Sequence, residues 1–240
     1  MCTLVTLSRP GDGWPLLAAA NRDEMLDRAW DRPGEYWPEL PGVIGGRDRL
    51  GGGTWMAVNS AGVLAAVLNR PGSLGPASGK RSRGELPLLA LAQSSAAAAA
   101  AVIMALDGGQ YRSFNLMLAD RESVFFLCWT GTGQIVRQLL SPGLHMVTAM
   151  DPDDHASPRT ARFLPKFAAA AVPDPERGDW AAWAGLLADR SAPAQSALNV
   201  PPRGGFGTVC ASLLGLSAGG RWCWLFAPGP ADIAEFARVP

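Results

Sequence analysis

The chain opens Met1-Cys2-Thr3. A side chain as small as that of Cys permits removal of the initiator methionine. Cys2 would then carry a thiol and a free α-amine on one residue. An α-amine titrates near pKa ~8, so at neutral pH a useful fraction is uncharged and can act as a base. Taking the proton from its own thiol, directly or through one water, it would fill the role that His fills in a Ser–His pair. The chain has 2 histidines, His145 and His155, so a Cys–His pair has few candidates.

A second group of reactive side chains follows. Ala18-Ala19-Ala20 leads into Asn21-Arg22-Asp23-Glu24. A small apolar run ending in consecutive polar groups reads as a strand that delivers a polar cluster at its tip. Strand-like runs over residues 2–8 and 14–20 flank Arg9-Pro10-Gly11-Asp12-Gly13, a turn sequence. Such a hairpin would return Asn21 and Arg22 to the side of Cys2. The alternative is an ordinary salt-bridged strand end.

The elements that must position these groups are bounded by composition. The chain has 240 residues, 48% hydrophobic and 18% charged, enough for one large domain over residues 1–240 with a substantial core. Lys+Arg and Asp+Glu balance at 21 each with no basic block, which argues against nucleic acid or an anionic membrane surface as partner. Cys2, Cys128, Cys210 and Cys223 show no C-x-x-C spacing, so neither a zinc site nor a thioredoxin-type motif is expected. A Cys210–Cys223 bridge across a hairpin is the conceivable disulfide. The N-terminus lacks a basic segment followed by an apolar run, so a cytoplasmic protein with reduced thiols is expected. Residues 86–106 carry no charge, but Ala dominates them and Pro87, Gln93, Ser94 and Ser95 interrupt them. They read as a buried or half-buried helix, not a membrane span.

Further strand-like runs cover residues 54–59, 63–69, 114–119, 124–130, 134–139, 145–149, 208–216 and 221–227. Turns at Asn59-Ser60-Ala61-Gly62, Gly131-Thr132-Gly133 and Ser217-Ala218-Gly219-Gly220 join several as hairpins. Three helices are expected. One runs from the S-x-x-E capping box at Ser82 to Asp107, with Pro87 in its first turn. One opens at Ser157-Pro158 and is kinked or ended by Pro165. One covers residues 179–190, with Trp180, Trp183, Leu186 and Leu187 on a core-facing stripe. Residues 41–53 and 71–80 read as Gly-rich loops and 191–205 as a linker-like loop. Gly51-Gly52-Gly53 follows no expected strand and opens no helix, so it is no phosphate cradle. Hairpins with helices in separate blocks indicate antiparallel sheets layered with helices.

Taken in order, the motifs resemble one family. Met1-Cys2-Thr3 and Asn21-Arg22-Asp23-Glu24 are joined by Gly52-Gly53-Thr54-Trp55, Leu68-Asn69, Arg83-Gly84-Glu85-Leu86, Phe114-Asn115-Leu116, Ser157-Pro158 and Phe206-Gly207-Thr208. This set resembles the NRDE family (transport and Golgi organisation protein 2-like), which in turn is similar to the cysteine branch of N-terminal-nucleophile hydrolases. The resemblance implies an α+β fold, a four-layer αββα sandwich with two antiparallel sheets between helical layers. It implies that Cys2 attacks an amide carbonyl, that Arg22 and Asp23 orient it, and that Asn69 helps hold the oxyanion. Asn21, Glu24, Trp55, Asn115 and His145 are then candidate ligand-binding residues, with no resident metal. The chain departs from the hydrolase pattern at two places. Ala149 stands where a second Asn is expected, and Val209 where a final Arg is expected. Loss of one oxyanion donor costs about 10²–10³ in turnover.

Two functions follow. The family resemblance implies transient binding and trafficking of haem, a transported ligand for which His145, His155, Cys2 or a methionine could supply an axial ligand. No Cys-x-x-Cys-His attachment motif is present. The hydrolase resemblance implies a Cys2-dependent amidohydrolase acting on a small acyl-amide. The two missing polar groups favour ligand handling as the primary expectation.

Overall fold

The computed structural model describes residues 2–191, 193 and 196–240. In chain order the strands are β1 (Thr3–Ser8), β2 (Leu16–Met25), β3 (Trp30–Gly34), β4 (Ile44–Asp48), β5 (Thr54–Val58), β6 (Leu64–Asn69), β7 (Phe114–Ala119), β8 (Val124–Trp129), β9 (Val136–Leu140), β10 (Gly143–Val147), β11 (Phe206–Leu216), β12 (Trp222–Ala227) and β13 (Ala237–Arg238). The helices are α1 (Glu85–Leu91), α2 (Ala96–Met104), α3 (Pro158–Ala169) and α4 (Ala181–Leu187). They fall into two compact units. The first joins the chain up to Arg28 with Gly143–Pro240, and the second is Ala29–Pro142.

The first unit holds an antiparallel sheet in the order β10-β1-β2-β11-β12-β13. The expected hairpin forms at its centre, with Thr3 opposite Asn21 and Ser8 opposite Leu16. Its turn is closed by the Arg9 amide donating to the Pro15 carbonyl at 2.7 Å and the Trp14 amide donating to Asp12 Oδ1 at 3.0 Å. Helices α3 and α4 bury one face. Val5, Leu17, Ala19 and Leu213 pack there with Phe163 and Trp183. Leu4, Leu16, Ala18 and Leu214, which alternate with them, are buried as well. Strands apolar on both faces give the near-continuous apolar runs seen in the sequence.

The second unit is a meander of seven strands, β3 to β9 in sequence order, with α1 and α2 over one face. Sequence pattern had read residues 41–53 as a loop, whereas β4 lies there, and it gave no strand at β3 or β13. The physical reason is the glycines. A Cβ on Gly45 would come within 2.4 Å of the Ala57 Cβ, and one on Gly46 within 2.2 Å of the Trp55 ring. After Ile44 the strand is therefore made of residues that carry no apolar signal. β3 contains Pro33, which is tolerated because β3 is an edge strand.

The helix expected from Ser82 to Asp107 is two helices. Gly84, not Ser82, precedes α1, and Ser95 caps α2 by accepting from the Ala98 amide at 3.2 Å. Pro165 does not end α3. It is exposed, and so is Ala161, whose carbonyl has no amide to meet on Pro165. The described cysteines are all free thiols, so the Cys210–Cys223 bridge does not form: Cys223 is registered with Gly215, and Cys210 with Arg22. Part of the expected loop 191–205 lies outside the described residues. Among the described residues no helix is long and apolar enough to cross a membrane. The expected class holds: α+β, with two antiparallel sheets, each backed by a pair of helices.

Candidate active site

Cys2 stands immediately before β1, at the point where the β1–β2 ladder ends at Thr3 opposite Asn21. Strand β2 runs on to Met25 against β11 alone, across a bulge between Thr208 and Cys210. The Asp23 peptide carbonyl, beyond the last β1 pair, accepts the Cys2 Sγ hydrogen at 3.5 Å. Arg22 is registered with Cys210 on its other side. Extending the β1–β2 register by one residue sets Cys2 opposite Arg22. Alternation then places Cys2, Arg22 and Cys210 on one face of the sheet, and Thr3, Asn21, Asp23 and Thr208 on the helix-backed face.

The Asp23 carboxylate is fully buried and held from both sides. Thr208 Oγ1 donates to Oδ1 at 2.6 Å, and Arg159 Nη1 donates to Oδ2 at 3.0 Å. The same Nη1 donates to Thr3 Oγ1 at 2.9 Å, and Thr208 Oγ1 accepts from the Val200 amide at 2.8 Å. The Arg159 side chain is 2% exposed and the Asp23 side chain 0%. One cluster thus ties together β1, β2, β11, α3 and the segment entering β11. Arg159 sits in the first turn of α3, behind its N-cap Ser157. A cation is unfavourable at a helix N-terminus, so the Asp23 carboxylate is what makes that position tenable.

These surroundings set the state of the thiols. Burial pushes the Cys2 thiol up, and the Asp23 charge adds to it; the charge of the N-terminal amine, the hydrogen bond to the Asp23 carbonyl and the Arg22 charge pull the other way without overcoming them. Burial likewise holds Cys210 at about 12, against the opposing pull of Arg22. Neither thiol is ionised unaided at neutral pH. A nucleophile at Cys2 therefore needs a base. Arg22 is 6% exposed, with Nη2 3.5 Å from Glu24 Oε2.

The other expected site residues have defined places. The Asn21 amide donates to the Leu187 and Leu198 carbonyls at 2.9 and 3.0 Å, so it clamps α4 to the sheet. Glu24 Oε1 accepts from the Met25 amide at 2.9 Å. His145 Nδ1 lies 2.6 Å from Asp153 Oδ2, and Asp153 Oδ1 accepts from the Met146 amide at 2.7 Å. Val209 occupies the β11 bulge. Ala149 is buried two residues past Val147, which pairs with Leu4, so the extended register places it opposite Cys2. A longer polar side chain at 149 would reach the face that carries Cys2; Ala offers no donor there.

Asn69, Trp55 and Asn115 belong to the second unit. Asn69 ends β6 opposite Phe114. Asn115 Oδ1 accepts from Arg70 Nη1 at 2.6 Å. Trp55 meets Trp30 edge to face with ring centroids 5.8 Å apart. The structure thus gathers Cys2, Arg22 and Asp23. It adds Thr3, Cys210, Thr208 and Arg159, which sequence reasoning missed. The available signal was Arg159 itself, a cation placed directly after Ser157-Pro158 where a helix start prefers anions. Among the described residues no cluster of three or more His, Cys, Asp or Glu is placed to hold a metal ion.

Comparison with known proteins places this geometry. Residues 1–221 match the model of the family Transport and Golgi organisation 2. The Transport and Golgi organization protein 2 homolog of Bos taurus is 30% identical over 142 residues, covering 56% of this chain and 50% of that protein. The Homo sapiens homolog is 29% identical over 142 residues, with the same coverage of 56% and 50%. The chain spans about half the length of the curated relatives it matches. Among solved structures, a Caenorhabditis elegans ortholog of N-acylethanolamine-hydrolyzing acid amidase superposes with a TM-score of 0.62 at 11% identity, covering 100% of both chains. A Cys-to-Ala mutant of the conjugated bile acid hydrolase from Clostridium perfringens gives 0.52 at 14% identity, covering 100% of this chain and 97% of that one. At such identities the likeness is one of fold, and that fold is the N-terminal-nucleophile hydrolase fold.

Proposed function

The chain belongs to the Transport and Golgi organisation 2 family, and from that premise we propose that it is a Cys2-dependent hydrolase of small acyl-amides. The observation that carries this reading is the fixed thiol: Cys2 Sγ is anchored to the Asp23 carbonyl at 3.5 Å beside the Arg22 guanidinium. Burial keeps that thiol protonated, and the Asp23 carboxylate is taken up by Thr208 and Arg159. The base is then the α-amine of Cys2, exposed when Met1 is removed. The structure of similar fold whose name specifies an amidase, that from Caenorhabditis elegans, supports the same reaction class.

In the acylation step Sγ attacks the amide carbonyl carbon while the α-amine takes the thiol proton. The C–N bond breaks, the same proton goes to the leaving amine, and a thioester forms on Cys2. Water then attacks the thioester with the α-amine as base, releasing the carboxylic acid and restoring the thiol. Arg22 stabilises negative charge developing on that face. With Ala at 149 and Val at 209, oxyanion support is thin, so slow turnover after a fast first acylation is expected.

A second reading is haem handling, favoured by His145. A carboxylate bound to one ring nitrogen, as Asp153 is to Nδ1 at 2.6 Å, is the arrangement that orients histidines toward iron. The cytoplasm is the proposed setting for either role, because a reducing compartment keeps Cys2 a thiol. One paired experiment separates the readings. Intact mass reports Met1 loss, and an N-acyl aminocoumarin series is followed with wild type and Cys2→Ala beside a haemin titration. A fluorophore burst that Cys2→Ala abolishes supports the hydrolase. A saturable Soret shift without Cys2-dependent release overturns it in favour of haem handling.

A further inference from the structure

We propose that Arg159 is a positioning residue for Cys2: by holding the Asp23 carboxylate on the helix side of the sheet, it fixes the Asp23 carbonyl that receives the thiol. The inference deepens the hydrolase reading and rests on it for its meaning, although its test needs no turnover.

Up to Asn21, β2 is held on both sides by β1 and β11; past Asn21 it has lost β1 and pairs with β11 across a bulge. The Asp23 peptide lies in that one-sided stretch, and its carbonyl holds Cys2 Sγ. A peptide held on one side can rotate about its strand axis unless its side chain is fixed. Arg159 and Thr208 fix it, one on each carboxylate oxygen. Arg159 adds a second tie, because the nitrogen that bonds Asp23 also bonds Thr3, the residue next to Cys2. A single guanidinium nitrogen therefore links the strand that carries the nucleophile to the strand that orients it. The apolar packing of that face lies further along the sheet, around Val5, Leu17 and Leu213.

Electrostatics make the role measurable. The charged and titratable groups acting on Cys2 are the N-terminal amine, Arg22 from β2 and Cys210 from β11 on its own face and Asp23 from across the sheet, with Glu24 paired to Arg22 and Ala149 in the β10 position. Asp23 opposes ionisation of Cys2, and Arg159 compensates the Asp23 charge. Without Arg159 more of that charge acts on Cys2, so the thiol should ionise at higher pH.

The test is the pH dependence of Cys2 alkylation by iodoacetamide, read by peptide mapping on the N-terminal peptide so that Cys128, Cys210 and Cys223 do not contribute. For Arg159→Gln the midpoint should rise by about one pH unit. Adding Asp23→Asn to Arg159→Gln should bring it back to or below the wild-type midpoint. Arg159→Lys, which keeps the charge on a side chain one atom shorter than the path to Nη1, should leave the midpoint in place while slowing the amine burst. If Arg159→Gln does not fold, Arg159→Lys and Thr3→Val carry the test. Each loosens the tie between the strands and keeps the charge compensated, so each should slow Cys2 alkylation without moving its midpoint. Unchanged midpoints in folded Arg159→Gln, or unchanged Cys2 reactivity in Arg159→Lys and Thr3→Val, would show a purely structural residue. A wild-type protein that fails to release amine but shows these shifts would refute the hydrolase reading and leave the positioning role standing.

Discussion

The two units solve one structural problem in the same way and differ in where they put their charges. Each backs an antiparallel sheet with two helices, and each must satisfy the carbonyls at the end of a seven-residue helix. In the first unit Asn21 donates to Leu187, the last residue of α4. In the second Asn59 donates to Leu91, the last residue of α1, at 2.9 Å, and to Gln93 at 2.7 Å. The charge arrangement is different. The second unit keeps its Asp–Arg group open to water: Asp31 bonds Arg47 and Arg49 at 2.7 and 2.6 Å, and Arg49 is 59% exposed. The first unit buries Asp23 and Arg159 completely. A layered sheet-and-helix unit can carry an Asp–Arg group at its surface, whereas the first unit places one in its interior beside Cys2. A buried pair is weak support for stability but a strong orienting device.

The comparison can be broken most sharply by removing one cation from each unit. Arg159→Met removes the buried cation bonded to the Asp23 carboxylate, and should destabilise by about 3–5 kcal/mol in urea titration. Arg49→Met should move the urea midpoint far less, because Arg49 is 59% exposed and Asp31 keeps its bond to Arg47. Equal losses would end the distinction between an orienting pair and a surface pair.

Next in size are the two asparagines. Asn21→Ala and Asn59→Ala each strand buried carbonyls and should each cost about 1–3 kcal/mol. Similar values would sharpen the claim that the units share one clamp. A silent Asn59→Ala would show that the clamp belongs to the first unit only.

A glycine pair gives a finer contrast. A Cβ on Gly53 would come within 2.3 Å of the Gly84 carbonyl carbon and oxygen, a backbone clash that no rotamer relieves, whereas one on Gly207 would meet the Val200 carbonyl at 3.2 Å. Gly53→Ala should therefore cost about 1–3 kcal/mol and Gly207→Ala clearly less. The reverse order in thermal unfolding would count against the close approach of the two loops.

The smallest effect is on pH. Burial alone would raise Asp189, but hydrogen bonds from Ser191 and the Lys166 ammonium outweigh it and hold the carboxyl at about 2. Asp31 is also lowered, chiefly by its hydrogen bond with Arg49. A depressed carboxyl contributes stability that is present above its unfolded pKa of ~3.9 and is lost as pH falls through the folded value. Acid titration should show that loss between about pH 4 and pH 2, with Lys166→Met flattening it. A midpoint stability that rises on acidification would contradict both assignments.

How much was legible in the sequence follows from distance along the chain. The β1–β2 hairpin was readable because Arg9-Pro10-Gly11-Asp12-Gly13 sets a local register that puts Asn21 beside Thr3. Cys2 and Asn21-Arg22-Asp23-Glu24 were readable because their chemistry is written in adjacent residues. Arg159 was not, since it lies 136 residues from Asp23 and only the fold joins them. β4 was not, because Gly45 and Gly46 replace the apolar residues that mark a strand. The break between α1 and α2 was masked by an alanine-rich run whose polar interruption, Gln93-Ser94-Ser95, is short enough to pass for one helix face.

The central claim is that Cys2 is a pre-positioned nucleophile with its own α-amine as base. It is tested most directly by looking for the acylated residue. The protein is mixed with an N-acyl aminocoumarin, quenched in acid within the burst, and its N-terminal peptide is weighed. The account predicts a peptide that begins at Cys2, carries the mass of one acyl group and reverts on standing, with no adduct in Cys2→Ala. A peptide that retains Met1 and never gains the acyl mass would contradict it.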